Sequence, residues 1–183
     1  MKKNLIGALV GGIILFMCQF ASWTFMGLHW PAQGYTANQD SVLQYLSTHL
    51  EKEGGYFLPN VPAGSSAEVM EKSMAESMGK PWATIQYHRV NDTNMGLNMG
   101  RGLVTNILLA YLLIWILNQF AKNSFTITLT TSLAVGLLVY LNSAYTSHIW
   151  YQLFDIRAYL IDYVVMWGLT GVWLGWWQNR KSA

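Results

Sequence analysis

Three groups of side chains have types and spacings that could do chemistry. Met70, Met74 and Met78 recur at i, i+4 and i+8, which lines three thioethers along one side of a helix, and thioether sulfur suits Cu(I). His29 and His148 sit at the ends of two apolar stretches, at one membrane depth, with His49 and His88 in polar sequence. Two imidazoles at one level could hold a metal or the iron of a haem. Asp155, Asp162, Arg101, Arg157 and His148 could converge at one membrane surface, where an acid and a cation would meet a lipid headgroup. Each group also has a plainer reading. A methionine stripe is more often a packing edge or a protein-binding surface. No H-x-x-x-H or H-x-x-E-H spacing accompanies the histidines, and the charges read more simply as a paired collar, with Asp162 reaching water, pairing with Arg101 or Arg157, or meeting a second protein. Neither cofactor nor metal site is therefore expected, and haem and copper stand as secondary candidates. The chain has no G-x-S-x-G, H-E-x-x-H, P-loop or Cys-His pair, so catalysis is not the expected role.

The elements that must position these groups are four apolar stretches. A hydrocarbon core about 30 Å thick needs roughly 17–25 apolar residues in a helix. Leu5 to Met26, Leu103 to Phe120, Phe125 to Tyr145 and Ala158 to Trp177 qualify, and within them Asp162 is the sole charged residue. A charge in that phase is costly, which makes Asp162 either paired or functional. The layout predicts an all-α membrane protein of three parts: an N-terminal transmembrane helix (1–26), a small α+β periplasmic cap (27–98) inserted between helices 1 and 2, and a three-helix bundle with short loops (99–183). Met1-Lys2-Lys3 before an apolar run has the form of a secretory signal, but the run is long and no small-x-small site closes it, so an uncleaved anchor is expected. Cys18 is the only cysteine and can form no internal disulfide.

Charge gives the orientation. Lys2, Lys3, Lys122, Arg180 and Lys181 flank the spans on one side with no acid among them, which places both termini in the cytoplasm by the positive-inside rule. All nine acids, Asp40 through Asp162, fall on the other side with the remaining six cations. No basic run dense enough for nucleic acid exists on either side.

Helix faces supply the packing candidates. On a wheel of about 100° per residue, Gly7, Ala8, Gly11, Gly12, Cys18, Gln19 and Ser22 gather on one face of the first span, opposite Leu9, Ile13, Phe16, Met17 and Phe20. Gly7 and Gly11 form a G-x-x-x-G pair that lets a neighbouring backbone approach. Thr128, Thr131, Ser132, Val135, Asn142 and Thr146 share a polar face of the third span. In the fourth, Gly168, Gly171 and Gly175 lie nearly opposite Asp162, Leu169, Trp173 and Trp176, so both faces want protein. Trp176 and Trp177, with Trp150 and Tyr151 at the other end, read as interfacial belt residues.

In the insertion, Asn38 to Lys52 and Ser65 to Met78 read as helices, the second opened by a Ser65-Ser66-Ala67-Glu68 capping box and closed by Gly79. Tyr56-Phe57-Leu58 and Trp82 to Val90 read as a pair of strands. A cap of this size buries little surface by itself, so it is expected to rest on helix ends or on a partner.

Tyr145-Thr146-Ser147-His148-Ile149-Trp150-Tyr151-Gln152-Leu153-Phe154-Asp155, followed by Asp162 and Trp167-Gly168, resembles the C-terminal half of small bacterial four-helix integral membrane proteins, which carry a W-Y-x-x-F-like aromatic turn between their last two spans. The resemblance implies a multi-pass protein of the bacterial inner membrane and brings no activity with it. The expected role is a non-catalytic accessory or scaffolding subunit of a membrane complex, touching lipid and partner subunits through Asp162, Arg101, Arg157, Asp155, Trp173 and Trp176. The alternative is a small transporter, channel or lipid-binding module using Asp162 and the Asn142 face.

Overall fold

Four helical spans in the computed structural model, which describes residues 2–180, are long and apolar enough to cross a membrane: Lys2–Thr24, Met95–Leu117, Phe125–Trp150 and Ile156–Asn179. Helices α1 (Lys2–Thr24), α4 (Met95–Leu117) and α7 (Ile156–Asn179) are continuous, whereas the third span comprises α5 (Phe125–Tyr140), a π segment (Leu141–Tyr145) and α6 (Thr146–Trp150). α4 starts eight residues before the apolar stretch does. Hydropathy stops at Arg101, but the backbone ladder continues to Asn94, whose side chain accepts a hydrogen bond from Leu97 N at 3.0 Å and caps the helix.

The chain divides into two units. One contains the residues up to Gly34 and from Asn94 onward, and the other is Tyr35–Thr93. The second unit is α2 (Gln39–His49), β1 (Gly54–Leu58), α3 (Ala67–Ser77) and β2 (Ala83–Tyr87), with β1 and β2 antiparallel and Tyr56 opposite Ile85. Both helices and both strands fall where the sequence predicts them. The capping box does not form, because Ser66 rather than Ser65 is the N-cap. Its Oγ accepts from Val69 N, while the Ser65 hydroxyl donates to Pro62 O at 2.7 Å.

In the first unit α1 packs on both α4 and α7, and α7 packs on α5, while the consecutive helices α4 and α5 share only a small contact. Glycine explains the closeness of these seams. A Cβ on Gly12 would lie 2.6 Å from Ile107 N, so the α1 and α4 backbones touch there. Gly7 and Gly11 meet Trp177 and Ala110 less tightly, at 3.0 and 3.2 Å. The closest approach is therefore one residue beyond the G-x-x-x-G pair. On α7, added Cβ atoms on Gly171 and Gly175 would come 2.8 Å from Ser132 and 2.7 Å from Phe125 of α5. Ala8, Leu15, Ala110, Leu113, Ile114, Leu117, Met166, Trp167 and Leu174 form the buried core.

The polar face of the third span is split. Thr128 and Ser132 are buried and Thr131 and Val135 half-buried, but Asn142 and Thr146 are exposed. The π segment causes the difference, since one extra residue in a turn shifts everything after it by about 100° on the helical wheel. The Thr146 hydroxyl marks the insertion by donating to Leu141 O, five residues back, at 2.7 Å. Ser132 Oγ donates to Trp167 O at 2.5 Å in a buried α5–α7 bond. Ser132→Ala is expected to cost about 0.5–1.5 kcal/mol, read as a lowered unfolding midpoint in detergent. An unchanged midpoint would show the bond to be energetically neutral.

The tryptophans near the end of α7 are not all belt residues. Trp177 is buried and its indole N–H donates to Lys3 O at 2.8 Å, and that of Trp173 donates to Gly7 O at 3.2 Å. Both indoles thus close the α1–α7 seam, and Trp176 alone of the three remains exposed. The glycine side of α7 is met by α5, and Trp173 on the other side by α1, while Leu169 and Trp176 remain exposed.

Candidate functional site

The site begins at a turn after α1. Gly27 adopts φ +64°, a left-handed conformation that glycine enters without the Cβ penalty. The chain reverses there into a short 3₁₀ turn, Trp30–Ala32, for which His29 is the capping residue. This returns the His29 ring to the end of α1, where it stacks on Trp23 with centroids 3.9 Å apart and planes within 6°. Tyr159 of α7 meets the ring edge-on at 4.9 Å.

Two acids reach this ring from α7. His29 Nδ1 lies 2.7 Å from Asp155 Oδ2, and Nε2 lies 2.9 Å from Asp162 Oδ2. Asp155 immediately precedes the helix and accepts Ala158 N and Tyr159 N through its backbone carbonyl, which leaves its side chain available to the ring. Asp162 follows two turns later on the same face, because seven residues nearly complete two turns. All three groups are buried: His29 is 0% exposed, Asp155 4% and Asp162 9%.

The proton count follows from the geometry. Each of the two contacts needs one hydrogen, and a neutral imidazole carries only one. The cluster must therefore hold two protons, either both on the ring or one on the ring and one on a carboxyl. Either arrangement leaves a single net negative charge, spread over three groups and packed against aromatic rings. Charge-assisted hydrogen bonds of this kind are short and strong, and a cationic ring gains further from the face of Trp23.

This arrangement clasps the end of α1 to α7. A general base or nucleophile must present a lone pair to its substrate, whereas both ring nitrogens here already face carboxylates. Toward the middle of the helices the seam continues into Leu15, Met166 and Leu174 of the apolar core. Among the described residues, no group of three His, Cys, Asp or Glu side chains is arranged to hold a metal ion.

The other predicted residues fall elsewhere. Arg101 and Arg157 are exposed and make no ion pair among the described residues. The expected pairing of Asp162 with either arginine is thus replaced by His29. His148 does not join His29; its Nδ1 accepts Leu153 N at 2.9 Å and shapes the turn into α7. Met70 and Met74 line a concavity of about 550 Å³ with Phe57, Pro59 and Pro62 in the Tyr35–Thr93 unit, whereas Met78 sits past the end of α3, 77% exposed. Lys181 lies outside the described residues.

Sequence reasoning singled out both acids and the histidine but did not join them. The signal was present in the i, i+7 spacing of Asp155 and Asp162, with His29 at the matching depth of the first span. Gly12 was legible only as a member of a face. Compared with protein-family models, with curated proteins and with solved structures, the chain matches none.

Proposed function

We propose that this chain is a non-catalytic accessory or scaffolding subunit of a bacterial inner-membrane complex, with both termini cytoplasmic and the Tyr35–Thr93 unit on the periplasmic face. One observation carries the reading: the surface of that unit. Neither α2 nor α3 buries a single residue, and within the unit Tyr87 alone is buried among the described residues. Tyr35, Val42, Leu43, Tyr45, Val69, Met74 and Trp82 are all exposed. Apolar surface on this scale marks an interaction site in a polar unit, and aromatic and methionine side chains suit protein recognition.

The orientation rests on Lys2, Lys3, Lys122 and Arg180 flanking the spans at one end without an acid. The Asp155–His29–Asp162 cluster supports a structural role, since it holds the ends of α1 and α7 together. The transport reading has less behind it, because Asn142 is exposed and does not face the seam that carries Asp162.

Purification in mild detergent followed by cross-linking mass spectrometry tests the proposal. A partner membrane protein is expected in stoichiometric amount, with cross-links on the Tyr35–Thr93 unit. Leu43→Glu with Met74→Glu, both at exposed positions, is expected to reduce its recovery at least about tenfold while leaving the chain's own helicity intact. Recovery of the isolated chain, or a partner indifferent to the double variant, would sink the idea.

A further inference from the structure

The end of the α1–α7 seam that carries the chain's two terminal helix ends holds a second feature. Ile14, Leu169, Val172, Trp173 and Trp176 line an apolar groove of about 430 Å³. Leu169, Val172 and Trp176 are exposed, so the groove opens outward from the bundle. Its aromatic end is capped by Arg180, whose guanidinium carbon lies 3.8 Å from the Trp177 ring centroid and 5.4 Å from that of Trp176.

The charged side chains at this mouth, Lys2, Lys3 and Arg180, are all cationic. The carbonyls ending α7 would present the negative pole of the helix to any ligand, but Lys3 Nζ donates to Gln178 O at 2.9 Å and to Arg180 O at 3.1 Å and neutralises them. α1 begins at Lys2 beside this point and contributes the positive pole of its own dipole. No carboxylate pairs with Arg180 among the described residues, because every acid of the chain lies between Asp40 and Asp162. Arg180 therefore keeps its N–H edges available while one face rests on the indoles, a geometry suited to phosphate.

We propose that this groove binds one anionic phospholipid, its acyl chain along Leu169, Val172 and Trp176 and its phosphate on Arg180. The apolar trough and the cationic mouth are contiguous, which matches a lipid of that charge and neither a soluble anion nor a neutral lipid. The site is distinct from the His29 cluster and independent of any partner of the Tyr35–Thr93 unit.

Brominated lipids provide the test. The full chain is reconstituted in phosphatidylcholine vesicles containing a minor fraction of either brominated phosphatidylglycerol or brominated phosphatidylcholine, and tryptophan quenching is compared. Phosphatidylglycerol is expected to occupy the groove about fivefold more readily, since a basic residue near a membrane surface contributes about 1 kcal/mol toward an anionic lipid. Arg180→Gln is expected to remove that excess, and Trp176→Phe to lower it, while quenching of the other exposed tryptophans such as Trp115 stays the same for both lipids. Equal quenching by the two lipids in the unmodified chain, or an excess that survives Arg180→Gln, overturns the proposal. Should Arg180→Gln lose its helical circular dichroism, Val172→Phe carries the test: it fills the trough with the arginine in place, and an undiminished excess there also overturns it.

Discussion

Thermal unfolding of the His29→Ala variant in detergent is expected well below that of the unmodified chain, with a loss of about 3–5 kcal/mol. The size follows from what is left behind. Asp155 and Asp162 are 4% and 9% exposed and both aim a carboxylate oxygen at the same ring. Deleting the ring removes the partner of both acids, opens a void against Trp23, and leaves two buried acids unpaired. Much of the loss is therefore a penalty on the partners and not the worth of the bonds. The companion variant makes this separable. Asp155→Asn with Asp162→Asn in the His29→Ala background removes the uncompensated charge and is expected to recover a substantial part of the stability. Failure of the acids to influence the outcome would mean that ring packing on Trp23, and not the clasp, holds this end.

Gly12→Ala is expected to be the most damaging single-methyl change in the membrane unit. An added Cβ there meets the backbone of Ile107, 2.6 Å from its nitrogen, and backbone cannot rotate aside as a side chain can. Overpacking of a close interface costs about 1–3 kcal/mol and occasionally more, and Gly12 belongs at or above the top of that range. Gly168→Ala is the matched control. Its Cβ would meet only Leu133 at 3.6 Å, ordinary van der Waals contact, so the same chemical change should leave the unfolding midpoint nearly unmoved. Equal effects of the two substitutions would show that helix propensity, not the α1–α4 approach, governs the response.

The parts of the molecule that follow from local chemistry were legible in the sequence. Apolar runs of spanning length gave the four long helices, and glycine and serine punctuation gave α2, α3 and the β1–β2 pair. What escaped depends on phase or on pairing over distance. Asn142 and Thr146 were assigned to a buried face that the Leu141–Tyr145 π segment rotates out of register. Nothing in the residue types of that segment announces the extra residue. Trp177 was read as an interfacial anchor because composition shows an aromatic cluster but not that its indole N–H reaches Lys3 O. Asp162 was expected to find an arginine, because arginine is always charged and nearby in sequence. The partner is His29, 133 residues away in the chain and shared with Asp155.

The α1–α7 seam joins two helices far apart along the chain. His29 is separated from Asp155 by 126 residues and from Asp162 by 133, so it leaves the ribosome long before either acid exists. α1 can meanwhile settle against α4 through Gly12, a contact that needs only the second span. Its other side, with the His29 turn, stays open until α7 follows. A chain cut before Asp155 would leave His29 without either acid and α1 without its contact with α7.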